Sequence, residues 1–79
     1  MRNIKDYVRC EEFKMIMKNN IIYIENFDDI GNISQKEIII YNDNKKILIK
    51  GNNLSIDKLL NSEILIKGNY NNIIINDNE

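Results

Sequence analysis

The chain has no histidine, no proline and no tryptophan, and Cys10 is its only cysteine. Each absence removes a class of chemistry. Without histidine, the commonest zinc ligand and the commonest general base near neutral pH are both missing. A lone cysteine forms no internal disulfide and no metal cluster. Arg9 precedes Cys10, but Glu11 and Glu12 follow it, and neighbouring acids raise a thiol pKa against what a nucleophile needs. One free thiol suits a reducing compartment. No apolar run approaches the ~20 residues of a membrane-spanning helix. Met1-Arg2-Asn3-Ile4-Lys5-Asp6 leads into no apolar region of a secretory signal. The expectation is a cytoplasmic protein. A net charge of -1, with lysines and acids interspersed, also makes no broad positive field for nucleic acid.

At 79 residues the chain is one domain. A domain this small buries only about 60–65% of the surface its unfolded chain exposes, so its stability is marginal. Disulfides, a metal or association normally make up the difference. With no disulfide and no metal cluster legible, self-association or a protein partner is what elimination leaves, although many domains of this size fold alone. No cofactor, metal or small-molecule substrate is expected.

The remaining candidates for chemistry are weak. Glu25, Asp28, Asp29 and Glu37 lack the oxygen-ligand spacing of a calcium loop and the opposed carboxyl pair of a glycosidase; solvated turn charges account for them. Gly31, Gly51 and Gly68 form no phosphate-binding spacing, so they read as turn residues. Tyr7, Tyr23, Tyr41 and Tyr70 with Phe13 and Phe27 lack the basic groove that a base-stacking platform uses. The bias toward Ile, Asn and Lys matches A/T-rich codons, and a bacterial genome of that composition explains the Asn clusters without a binding code.

What is present is a series of short β-branched runs between polar turns. They are Phe13–Met17, Ile21–Glu25, Glu37–Tyr41, Lys46–Lys50, Asn53–Ile56, Glu63–Lys67 and Asn72–Asn76. Isoleucine suits a pleated strand better than a helix. The spacers around Asn42–Lys45, Gly51-Asn52 and Gly68–Asn71 hold residues that tolerate positive φ. Ile47-Leu48-Ile49-Lys50-Gly51-Asn52 recurs as Ile64-Leu65-Ile66-Lys67-Gly68-Asn69, at a spacing too irregular for a solenoid. Asp57–Ser62 has room for one helical turn. Ile4, Tyr7, Val8 and Glu11 line a candidate short helix.

Two hairpins follow by register. Pairing Tyr41 with Lys46 sets Ile40 against Ile47, Ile39 against Leu48 and Ile38 against Ile49. Pairing Lys67 with Asn72 sets Ile66 against Ile73, Leu65 against Ile74 and Ile64 against Ile75. Alternation then gives a core face of Ile38, Ile40, Ile47, Ile49, Ile64, Ile66, Ile73 and Ile75. The second face carries Ile39, Leu48, Leu65 and Ile74. These four make a candidate protein interface, one stripe rimmed by Lys46, Lys50 and Lys67, unless residues 1–14 or a second sheet cover it within the monomer.

Word order adds a resemblance. Ile21-Ile22-Tyr23-Ile24-Glu25-Asn26, Glu37-Ile38-Ile39-Ile40, Leu48-Ile49-Lys50-Gly51-Asn52-Asn53-Leu54-Ser55-Ile56, Glu63-Ile64-Leu65-Ile66-Lys67-Gly68 and Asn72-Ile73-Ile74-Ile75 follow one another as in the YabP/YqfC family of sporulation proteins. The YqfC branch is the most similar. Lys18-Asn19 stands where that family has Gly-Asn, and Phe27-Asp28-Asp29-Ile30 lacks its usual basic residue. The resemblance implies a small β domain of endospore-forming Firmicutes, made in the mother cell. It also implies a non-enzymatic role beside a membrane-associated sporulation protein, at the forespore membrane surface, or in spore coat assembly.

The expectation is therefore an all-β fold, a small antiparallel β-sandwich or rolled sheet built of hairpins. Residues 1–79 form one domain, with 1–12 as an N-terminal extension that includes the candidate helix and 13–76 as the β core. It is not an enzyme and has no nucleic-acid partner; its partner is a protein or a second copy. The alternative is a small β adaptor, phage-borne for example, with no part in sporulation.

Overall fold

The computed structural model describes residues 13–77, which form strands and no helix. The strands are β1 (Lys14–Lys18), β2 (Ile21–Glu25), β3 (Asp29–Ile33), β4 (Glu37–Asn42), β5 (Lys45–Leu60) and β6 (Glu63–Asp77). They make one antiparallel sheet in the order β1-β2-β6-β5-β4-β3. The all-β expectation holds. Two-residue turns join β1 to β2, β4 to β5 and β5 to β6. Asn20, Asp43 and Ser62 take positive φ in these turns, and Asn26 and Asn53 do so elsewhere. Four of these five are Asn or Asp, which visit that region most cheaply after glycine.

β5 and β6 run for 16 and 15 residues and pair along nearly their whole length. Their register shifts between Lys50 and Gly51, between Asn52 and Ser55, and between Ile56 and Lys58. Each such irregularity bends a strand, and here the bends fold the sheet over itself. Ile22, Ile24, Ile64 and Ile66 from one half meet Ile38, Ile40, Ile47 and Ile49 from the other in a single core with Leu54. None of the eight isoleucines is more than 2% exposed. A flat sheet would leave that face wet; the rolled sheet buries it, at roughly 1.5–3 kcal/mol per side chain.

The fold depends on how the long strands pass each other. At Gly51 a Cβ would strike the Asn69 carbonyl oxygen and the Tyr70 Cα at 2.6 Å. At Gly68 it would meet the Asn53 carbonyl oxygen at 2.6 Å and the Leu54 Cα at 2.8 Å. Each glycine thus lies against the backbone of the other strand's bend. Gly68 also has φ +136°, a conformation L side chains rarely adopt. Gly51 does not have positive φ, so close approach alone excludes a side chain there.

The two halves answer each other. Ile22↔Ile66, Tyr23↔Leu65 and Ile24↔Ile64 in one half correspond to Ile38↔Ile49, Ile39↔Leu48 and Ile40↔Ile47 in the other. Gly68 N–H donates to the Asn20 carbonyl at 3.1 Å, and Gly51 N–H donates to the Lys36 carbonyl at 3.0 Å. The repeated Ile-Leu-Ile-Lys-Gly-Asn word is the sequence trace of this correspondence.

Several sequence expectations are corrected. The first hairpin has the expected register, but the second does not form. Residues 63–77 are one strand: Ile64, Leu65 and Ile66 pair with β2, while Ile73, Ile74 and Ile75 pair with Ile49, Leu48 and Ile47. The Gly51-Asn52 and Gly68–Asn71 stretches are bends inside strands, because the close strand crossing needs the same small residues as a turn. Asp57–Leu60 is strand and Asn61-Ser62 a turn, so no helical turn forms there. Ile73 is half-buried and Ile75 is 54% exposed. β3 carries no sequence warning, since Asp29, Gly31 and Asn32 look like loop residues. Ile22, Ile24 and Leu54 complete the core instead. The N-terminal extension with its candidate helix, and Cys10, lie outside the described residues.

Gly68→Val combines backbone strain with a backbone clash and is expected to destabilise the domain by well over 1 kcal/mol. Gly51→Val is expected to do the same through the clash. Chemical melts check both; a Gly68→Val melt matching wild type would contradict the tight crossing.

Candidate interaction surfaces

Folding the sheet leaves two outward faces, one on each side of the core. Cross-strand neighbours share a face, so the outward side chains form rows. On the β3-β4-β5-β6 face, Ile39 stands opposite Leu48 and Leu48 opposite Ile74. On the β1-β2-β6-β5 face the row is Ile16, Tyr23, Leu65 and Lys58. Ile39, Leu48 and Ile74 are therefore brought together as the sequence suggested, while Leu65 lies in the other row. Lys46 and Lys50 flank Leu48 on its strand. Lys67 belongs with Leu65, where its ammonium lies 3.6 Å from the Asp57 carboxylate.

Exposure along the first row rises toward the edge. Ile39 is 8% exposed. A Cβ at Gly31 would lie 2.9 Å from the Tyr41 ring and 3.2 Å from Ile39, so the missing side chain on β3 makes room for both. Leu48 is half-buried, and Ile74 is 38% exposed. In the second row Ile16 is open and Tyr23 and Leu65 are half-buried. Leu60 joins Tyr23, Lys58 and Leu65 around a hollow of about 90 Å³. Burial, then Glu25 and Glu63 nearby, push the Tyr23 hydroxyl pKa up. It stays neutral at physiological pH and adds no charge to the row.

Of the four acids singled out in the sequence, Asp28, Asp29 and Glu25 hold turns and strand ends. Asp28 accepts the Asp43 N–H at 2.6 Å and Asp29 accepts the Ile30 N–H at 2.8 Å. Glu25 lies 3.5 Å from the Lys14 ammonium. A hollow of about 320 Å³ between Phe27–Ile30 and Leu59–Ser62 is open and holds only these two aspartates as charges. Among the described residues no three acids or cysteines converge as metal ligands. Among the described residues no helix is long and apolar enough to cross a membrane. The outward rows present partly exposed apolar side chains on both faces.

The model of the YabP family matches residues 10–79, and the chain belongs to that family. Neither the curated proteins nor the solved structures gave a match.

Asp77 provides a pH-dependent contact at the end of the long hairpin. Its hydrogen bond from Lys45 at 2.7 Å, and the charge of that ammonium, hold its pKa below the usual carboxylate range. A depressed folded-state pKa contributes stability above the unfolded value, and that contribution is lost as pH falls through the folded one. Both groups are exposed, so the effect on stability is small. Lys45→Ala should return the Asp77 titration, followed by carboxyl NMR shifts, toward its ordinary value. An unchanged titration would show that Lys45 is not the cause.

Proposed function

We propose that this YabP-family domain is a non-enzymatic sporulation protein that works through protein–protein contact in the mother cell of an endospore-forming bacterium. The word order of Ile21–Asn26 and Glu63–Gly68 favours the YqfC branch, and with it a companion role to a membrane-associated sporulation protein. Coat assembly is the corresponding role on the YabP side. The observation that carries the reading is family membership over residues 10–79. It is supported by the apolar row Ile39–Leu48–Ile74, set on adjacent paired strands and flanked by Lys46 and Lys50.

A row of this kind acts by dehydration. Burying a leucine or isoleucine fully is worth roughly 1.5–3 kcal/mol, so a few such side chains at the centre of a contact can dominate its affinity. The surrounding lysines keep the row soluble until a partner covers it and help to orient that partner. Leu48 is the centre of the row, with an apolar neighbour on each side. Leu65 stands on the opposite face, so the two positions can be tested separately.

Tagged protein drawn from sporulating cells is expected to capture a sporulation protein, and Leu48→Lys is expected to lose it by tenfold or more while still folding. Leu65→Lys should retain it. Capture unaffected by Leu48→Lys would remove the row from the contact. Expression and capture outside sporulation would favour a general β adaptor.

A further inference from the structure

Among the described residues, the second half of β6 is an open edge. β2 pairs with β6 only from Glu63 to Lys67, and the β1–β2 turn closes that contact. There Gly68 N–H reaches the Asn20 carbonyl, and the Tyr70 hydroxyl donates to the Lys18 carbonyl at 2.7 Å. From Asn71 to Asp77, β5 is the one strand alongside among the described residues. Alternate backbone N–H and C=O groups on the far side of this stretch therefore face outward, as in any antiparallel edge.

Proteins guard such edges with charge, irregularity or cover, and this domain does so elsewhere. β1 carries Lys14 and Lys18. β3 carries Asp29 and a register shift between Ile30 and Ile33. The most informative comparison is the equivalent edge of the other half, the second part of β5. Lys58 stands opposite Leu65 there, in the place that Ile74 occupies opposite Leu48. Asp57 lies beside Lys58, and the register shifts between Ile56 and Lys58. The β6 edge has neither irregularity nor central charge; its one charged residue, Asp77, lies at its end against Lys45. Its pairing is regular from Asn72 to Asp77, and Asn71 to Asn76 carries no charge. Ile75 points to the core side and is 54% exposed.

We infer that β6 pairs antiparallel with β6 of a second copy, about a two-fold axis through Ile74. That residue is the midpoint of the open stretch, so this register uses all of it. Ile73 then stands opposite Ile75 of the second copy, Asn72 opposite Asn76, and Asn71 opposite Asp77. No like charges meet, and Asp77 already has Lys45 as its counter-ion. The exposed Ile75 gains an apolar neighbour. The outward rows join into Ile39–Leu48–Ile74 continued by Ile74–Leu48–Ile39 of the second copy, doubling the surface offered to a partner. The inference rests on the reading of this domain as an interaction module, and names its first partner as itself.

Light scattering on the eluting full chain should give twice the chain mass, falling toward one chain on dilution. Ile74→Lys places two ammonium groups on the axis and should run as one chain with an unchanged far-UV spectrum. In a Cys10→Ser background, Ile74→Cys should cross-link to a dimer under mild oxidation, because directly opposed strand positions lie within disulfide reach. Ile33→Cys, on the β3 edge, should not. The cross-link decides the matter if Ile74→Lys unfolds. Wild-type protein that stays a single chain at its solubility limit would overturn the pairing. So would a dimer that survives Ile74→Lys, or equal cross-linking at both positions. None of these outcomes bears on the sporulation partner, which is judged by capture with Leu48→Lys.

Discussion

The crossing of β5 and β6 is the constraint on which the rest depends. A single sheet of six strands has a dry side only if it covers itself. The two long strands do this by bending where each presents a glycine to the backbone of the other. Filling either position would hold the strands apart, and the two sets of isoleucines would no longer meet. With no internal disulfide available, the dry contact between the halves carries the domain. Its only tight ion pair, Lys45 with Asp77 at 2.7 Å among the described residues, is exposed and adds little.

Much of this was legible in the residues. Isoleucine-rich runs announced strands, and alternation in Ile38–Tyr41 and Lys46–Ile49 yielded the first hairpin residue for residue. The misreading of Gly68–Asn71 has a physical origin. A turn and a bend within a strand both need small residues that accept unusual backbone angles, and local sequence does not distinguish them. A second hairpin at that point sets Leu65 beside Ile74 and merges into one stripe two rows that the folded sheet holds on opposite faces. The repeated Ile-Leu-Ile-Lys-Gly-Asn word held the signal that would have separated them. Two equivalent strands leaving two equivalent bends place Leu48 and Leu65 in corresponding positions, on different halves. β3 went unseen for a related reason. Its Gly31 makes room for Tyr41 and Ile39, so a requirement of packing looked like a loop.

The correspondence between the halves also shows where they differ. The cores match nearly side chain for side chain, whereas the margins do not. Lys58 and Asp57 protect one edge, while isoleucine and asparagine leave its counterpart open. One outward row ends on a lysine and the other on Ile74. A domain that needs only to fold has no use for this difference. In this YabP-family chain, the unguarded row and edge are the features on which the proposed contacts with other proteins rest.

All of these assignments require that the sheet be folded over, because that alone sets Leu65 and Leu48 on opposite sides of one core. Methyl NMR on isoleucine-labelled protein measures it directly. The account requires nuclear Overhauser contacts between the methyl groups of Ile22 and Ile24 and those of Ile38 and Ile40, which lie in different halves and on strands that do not pair. If those contacts were absent while the contacts within each half remained, the sheet would be open and the account wrong.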